Sequence, residues 1–246
     1  MNKVAIVTGA GTGVGKVTAI KLSDAGFSVI LIGRRKEKLE ETKTECNDQA
    51  LVLPMDVSNE VDVKKCFEMI KKNFSRIDLL FNNAGTFLSS KTIDEINFNE
   101  WKEVVEVNLN GMFLFSKYAF SLMKDQSPKG GRIINNGSVS AYAPRPGSIA
   151  YTATKHAVTG ITKSLALDGR PFSIVCSQLD IGNADTPMTE GIKKGIIQAD
   201  GSIKTEPTFN TQHVADAVLH LVKLPLDTNI LNMTIMASNM PFIGRG

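Results

Sequence analysis

Seven short apolar runs punctuate the chain: VAIVT (4–8), SVILI (28–32), ALVL (50–53), IDLLF (77–81), RIINN (132–136), SIVCSQL (173–179) and TIM (234–236). Most are rich in β-branched residues and do not alternate apolar with polar. Such runs read as strands covered on both faces. Longer stretches with apolar residues at helical spacing separate them. Val14, Val17, Ile20, Leu22 and Ala25 mark the first, 61–74 the second, Trp101 to about Met123 the third, and Ser148 to Leu167 the fourth. DGR at 168–170, before Pro171, reads as a helix stop. Strand–helix alternation from end to end predicts one α/β domain over residues 1–246, a Rossmann-like, doubly wound parallel sheet of about seven strands with helices on both faces. Residues 180–212 break the pattern with polar and small residues, two prolines and no clear period. An irregular stretch of that length reads as a functional lid, with 183–210 as the substrate-binding part.

Composition narrows the function classes. Forty-two percent of the 246 residues are hydrophobic, enough for a full core. A net charge of +3 argues against a strongly electrostatic nucleic-acid binder. Cys46, Cys66 and Cys176 fit no zinc or redox spacing and read as free thiols, and His156, His213 and His220 form no ligand cluster, so no metal is expected. MNKVAIVTG runs straight into a strand and a glycine turn rather than a signal peptide, and no apolar run approaches ~18 residues. A soluble, cytoplasmic protein is the expectation.

The first chemistry lies in TGAGTGVG, from Thr8 to Gly15. Gly9, Gly13 and Gly15 allow a tight turn and close approach of backbone to a ligand. The helix that follows offers unpaired N–H groups and a partial positive charge to a pyrophosphate. A glycine cluster is weak evidence alone, but its place after the first strand of an alternating chain is the context that dinucleotide binding requires. Thr12 and Val14 belong to the same turn. At the end of the second strand, LIGRRKEK carries no acidic residue to meet a ribose 2′-hydroxyl. Arg34 and Arg35 offer guanidinium groups to a 2′-phosphate instead, which favours NADP(H) over NAD(H). The plain alternative is a solvated, basic helix start.

A second motif is YTATK, with Tyr151 and Lys155 four apart on one predicted helix face. Taken alone it is a surface pair. With T-G-x-x-x-G-x-G, NNAG at 82–85, VNLNG at 107–111, GSVS at 137–140 and Ser138 thirteen positions before Tyr151, the chain resembles the short-chain dehydrogenase/reductase family over nearly its whole length. The resemblance implies a catalytic set of Asn108, Ser138, Tyr151 and Lys155. Tyr151 would be general acid and base, Ser138 would hold the substrate oxygen beside it, Lys155 would lower the phenol pKa and bind the nicotinamide ribose, and Asn108 would anchor a proton-relaying water. A free phenol ionises near pH ~10, and bringing it to neutrality takes ~4 kcal/mol, within reach of a neighbouring ammonium and a cationic nicotinamide. The resemblance adds Asp56 and Val57 near the adenine, Asn83, Ala84 and Gly85 along the cofactor, and Thr186 at the carboxamide.

The text departs from the family at Ile181-Gly182, where Pro-Gly is usual, and in the tail TIMASNMPFIGRG. That apolar tail is expected on a partner subunit, over the site, or simply folded back. The substrate wall is expected from 141–149, the lid and the tail: Tyr142, Pro144, Pro146, Ile149, Met188, Ile192 and Ile196. It suits a small or medium carbonyl compound without a strong anion, with Arg145 read as a solvated surface cation in preference to a ligand for a substrate carboxylate. The leading reading is an NADP(H)-dependent carbonyl reductase or alcohol dehydrogenase acting on a small molecule. The family implies a homodimer or homotetramer built on the helices at 101–123 and 148–167, with no nucleic-acid or membrane partner. The alternatives are a catalytically silent NADP(H)-binding redox sensor and a scaffold protein.

Overall fold

The computed structural model describes residues 3–88 and 90–243. The first half alternates strands β1 (Val4–Thr8), β2 (Ser28–Gly33), β3 (Leu51–Pro54) and β4 (Leu79–Asn82) with helices α1 (Gly13–Asp24), α2 (Lys36–Thr44) and α3 (Glu60–Phe74). Next come α4 (Phe98–Val105), α5 (Gly111–Asp125), β5 (Gly131–Asn136), α6 (Ile149–Asp168) and β6 (Ile174–Gly182). The lid holds α7 (Glu190–Lys194) and a small antiparallel hairpin, β7 (Ile196–Ile197) with β8 (Ile203–Lys204). The last elements are α8 (Gln212–Lys223) and β9 (Asn232–Met236).

The seven large strands form one parallel sheet in the order β3-β2-β1-β4-β5-β6-β9. The expected fold class is the observed one. Successive strand residues serve opposite faces. Ala5, Val7, Val29, Leu31, Leu79 and Phe81 join one core with α1, α2 and α8 residues such as Leu22, Leu39 and Val218. Val4, Ile6, Ile30, Ile32 and Leu80 join the other, with Phe67 and Ile70 of α3 and Phe115 of α5. That double burial is why the strands read as unbroken apolar runs. The chain reverses direction across the sheet between β1 and β4, so their C-terminal ends open a crevice where ligands of such folds bind.

The differences from the sequence reading are local. The helix expected from Trp101 to Met123 is divided: a π-helical turn, Glu106–Asn110, separates α4 from α5. Strand β6 runs three residues further than its apolar text, to Gly182. Of the tail, Met240 is buried against Val139 and Ala237, and the Phe242 ring meets the Tyr142 ring edge-on at 6.4 Å. The tail folds back on its own chain beside the 138–148 loop; Gly244, Arg245 and Gly246 lie outside the described residues. No helix among the described residues is long and apolar enough to cross a membrane.

Candidate active site

One cleft of about 640 Å³ runs from the glycine turn to Tyr151. At its first end, Gly9 and Gly13 have φ of +68° and +53°, a region that side chains resist. Thr12 stands at the start of α1 without capping it, so its hydroxyl stays available to a ligand. Gly9, Thr12, Gly13 and Val14 line the cleft. Gly15 does not; it faces the turn itself, where a Cβ would stand 2.2 Å from the Gly9 carbonyl oxygen. Gly15→Ala is therefore expected to force the turn open and lower Tm, as thermal melting would show.

The neighbouring loops are tied to this turn. The Thr8 hydroxyl accepts the Asn83 and Ala84 N–H groups at 2.9 and 3.0 Å, and Asn83 Nδ2 donates to the Thr8 carbonyl at 3.0 Å. Asn136 Nδ2 donates to Asn83 Oδ1 at 2.9 Å, which joins the ends of β4 and β5. Ala84 and Gly85 also line the cleft, as do Arg34, Arg35, Asp56 and Val57 where β2 and β3 end. Burial would raise the Asp56 carboxyl. Hydrogen bonds from the Ser58 N–H and hydroxyl, at 2.9 and 2.7 Å, and the Arg34 charge outweigh it and hold the pKa below the usual range. Thr186 closes the opposite side, its side chain over Gly13.

At the other end, α6 places Tyr151 and Lys155 on one face, with Lys155 Nζ 5.4 Å from the phenol ring centre. Lys155 is buried and donates to the Asn136 carbonyl at 2.6 Å. Burial presses its ammonium down to about 8, partly opposed by the Asp180 charge. The Ser138 hydroxyl accepts the Ser140 N–H at 3.1 Å and faces the Tyr151 phenol, whose ionised form it favours. Burial pushes the phenol above its ordinary value, against Ser138 and the Arg145 charge, while Asp180 adds to the rise. The acidic phenol expected from the sequence rests on the lysine charge together with a cationic nicotinamide, and burial opposes both. Proximity to an ammonium was legible in the sequence; the burial that raises the phenol comes from packing and was not.

Asn108 sits in the π-helical turn, a distortion often found at functional sites. Its side chain does not line the cleft. The amide accepts the Thr86 N–H at 2.8 Å and donates to the Thr86 carbonyl and the Thr154 hydroxyl, at 2.8 and 3.3 Å. Both N–H groups are spent on protein partners, so the side chain braces the 84–86 segment against α6. A relay water held by Asn108, the role implied by the resemblance, would rest on atoms other than those two donors.

The substrate wall also differs from expectation. Pro146, Met188, Ile192 and Ile196 line the cleft, and Phe87, Leu88 and Ile96 complete an apolar surface that the sequence reading missed. Tyr142, Pro144 and Ile149 do not line it. The Tyr142 hydroxyl instead donates to Asp180 Oδ2 at 2.9 Å. Arg145 is not a solvated cation. It pairs with the buried Glu206 of the lid and donates to Asn183 Oδ1 at 2.9 Å. Asn183 Nδ2 reaches the same Glu206 carboxylate at 2.9 Å, fastening the lid to the 138–148 loop.

A sequence profile of the short chain dehydrogenase family matches residues 3–196. An uncharacterised oxidoreductase of Staphylococcus epidermidis is 34% identical over 233 residues, covering 95% of this chain and 96% of its own. A 3β-hydroxysteroid dehydrogenase of Mediterraneibacter gnavus is 35% identical over 191 residues, 76% of this chain and 68% of its own. Among solved structures, the 3-ketoacyl-(acyl-carrier-protein) reductase of Brucella melitensis complexed with NADH is similar with a TM-score of 0.85 and 26% identity, covering 96% of this chain and 97% of that one. An actinorhodin polyketide ketoreductase with NADPH gives 0.86 and 25%, with 96% of each chain covered.

Proposed function

The chain belongs to the short-chain dehydrogenase/reductase family of oxidoreductases, and from that premise we propose that it is an NADP(H)-dependent enzyme interconverting a carbonyl and an alcohol, with Tyr151 as general acid and base. The observation that carries this reading is the convergence of Ser138, Tyr151 and Lys155 at one end of a cleft whose other end is the glycine turn.

The residues present suit a nicotinamide dinucleotide. A cradle too tight for side chains, an uncapped helix start and the Thr12 hydroxyl fit a pyrophosphate, and Asp56 stands where an adenine would be met. When bound, the nicotinamide supplies the hydride. Tyr151 gives its proton to the carbonyl oxygen in reduction and takes one back in oxidation. The Ser138 hydroxyl, already accepting from Ser140, has its own proton to donate to that oxygen. Lys155 holds positive charge beside the phenol and a hydrogen bond to the end of β5. Asn108 keeps the 84–86 segment and α6 in register.

Arg34, Arg35 and Lys38 line the adenosine end, where Gly33 offers no carboxylate to repel a phosphate, so NADP(H) is the preferred cofactor. Arg34→Ala is expected to weaken NADPH binding about tenfold or more and leave NADH binding within about twofold, as parallel fluorescence titrations would measure. Equal losses for the two cofactors would refute the preference. The apolar wall, with Arg145 neutralised by Glu206, favours an uncharged carbonyl compound of small or medium size. Apolar residues exposed on α4 to α6, including Phe98, Phe113 and Leu167, fit a homo-oligomer. The test of the whole reading is NADPH oxidation by the purified protein across aldehydes, ketones and quinones. Tight NADPH binding without turnover on any of them would favour the redox sensor instead.

A further inference from the structure

Asp180 lies in β6, just past the apolar text of that strand, and is fully buried. A buried carboxyl is costly unless donors meet it. Four do. Oδ1 accepts the Ser138 peptide N–H at 2.8 Å and Gln178 Nε2 at 2.7 Å. Oδ2 accepts the Tyr142 hydroxyl at 2.9 Å and Asn232 Nδ2 at 2.7 Å. Four donors on two oxygens suit the carboxylate, which accepts and does not donate. The backbone leaves room for it: a Cβ on Gly137 would stand 2.0 Å from Asp180 Oδ1. The pairing of β5 with β6 ends at Asn136 and Leu179. Asp180 acts one step beyond, on the peptide that carries the Ser138 hydroxyl.

We propose, on the reaction given above, that Asp180 is a positioning residue of this site: it fixes Ser138 and Tyr142 and supplies a buried negative charge facing Tyr151 and Lys155. The other charged and titratable groups around it are Arg145 and Tyr142 of the loop between β5 and α6, Tyr151 and Lys155 of α6, and Glu206 of the lid, reached through Arg145. Burial drives Lys155 toward its neutral form, and Asp180 opposes that. Burial keeps the Tyr151 phenol protonated, and Asp180 adds to it, against Arg145. The carboxylate thus holds the site in the form from which carbonyl reduction starts, with a protonated phenol beside a charged lysine. Phe242 packs on the Tyr142 ring, so the chain's last described residues bear on the same tether.

Asp180→Asn keeps the shape and removes the charge. The readouts are steady-state kinetics, NADPH affinity, and the protonation midpoint of Lys155 by NMR of isotope-labelled lysines, assigned by its loss in Lys155→Met. The expected result is kcat lower by about ten- to a hundredfold, with KM and NADPH affinity within about threefold. The Lys155 midpoint moves down from its wild-type value of about 8, by about half a pH unit or more. An unmoved midpoint with kcat within about threefold of wild type overturns the proposal. The NMR readout needs no turnover, so a wild-type protein inert toward every carbonyl compound counts against the reaction and leaves the Asp180 test standing. Should Asp180→Asn fail to fold, Tyr142→Phe keeps the charge and cuts one tether. It is expected to lower kcat about fivefold with the midpoint unmoved, and wild-type kcat in that variant would overturn the tether.

Discussion

Tyr151→Phe removes one oxygen and is expected to lower kcat by roughly 10²–10⁴-fold, or ~3–5 kcal/mol of barrier, while NADPH affinity stays within about threefold. The ring fills the same space, so the fold has no reason to change. The missing hydroxyl is the group that Ser138 faces, and among the described residues no other phenol lines the cleft. Tyr142, the nearest substitute along the loop, has its hydroxyl turned to Asp180. Kinetics paired with cofactor titration check the prediction. Retained turnover would mean that the proton comes from elsewhere and that the Ser138–Tyr151 contact is structural.

Lys155→Met is expected to separate activity from stability. The lysine titrates at about 8 inside the protein against 10.5 for a free side chain. At neutral pH the buried ammonium is still mostly protonated, at a cost of order 3 kcal/mol relative to the unfolded chain. Methionine removes that cost but orphans the Asn136 carbonyl, so a net gain of about 1–2 kcal/mol, several degrees in Tm, is expected alongside a loss of turnover of about a hundredfold or more. The sign of the pH dependence follows from linkage. Because the folded pKa lies below the unfolded one, the unfolded chain holds more protons above pH 8, and stability rises with pH there. Unfolded thiols ionise over the same range, centred near 9, while burial holds Cys66 and Cys176 up at about 12, and their contribution opposes the rise. Between pH 8 and 9 the lysine adds about 1 kcal/mol and the two thiols remove most of it, so wild type should stay nearly level and then lose stability, whereas Lys155→Met should lose stability from pH 8 onward. Urea unfolding across that range tests it. Equal slopes for wild type and Lys155→Met would mean that water or a bound group solvates the lysine.

What the sequence made legible follows from where information is local. Strands buried on both faces must be apolar throughout, so β1, β2 and β4 could be read directly. The glycine turn was legible because each glycine answers a clash within a few residues or a φ that side chains resist. Helix α2 was missed because Leu39 and Thr42 are its buried residues in an otherwise charged segment, too few to set a period. Helix α8 carries a clear stripe of Val214, Val218 and Leu221, but it follows a lid that has no period of its own. The site's hidden parts are long-range. Arg145 reads as a surface cation until Glu206, sixty-one residues on, comes to it. Asp180 reads as a polar interruption after an apolar run, and its meaning comes from Ser138 and Tyr142 of one loop and Asn232 at the start of β9, which reach it from two distant places in the chain. The same holds for the phenol. Sequence spacing gave its neighbour, while only the packed structure gives the burial that sets its protonation.

The central claim is hydride transfer from NADPH to a carbonyl carbon at Tyr151. Its most direct test is to supply NADPH deuterated at the transferred position with the best carbonyl compound from the panel, and to weigh the alcohol formed by wild type and by Tyr151→Phe. The account predicts one deuterium per alcohol, formed in step with NADPH consumed, and almost no product from the variant. NADPH consumption without label in the product, or labelled alcohol formed equally well by Tyr151→Phe, would contradict it.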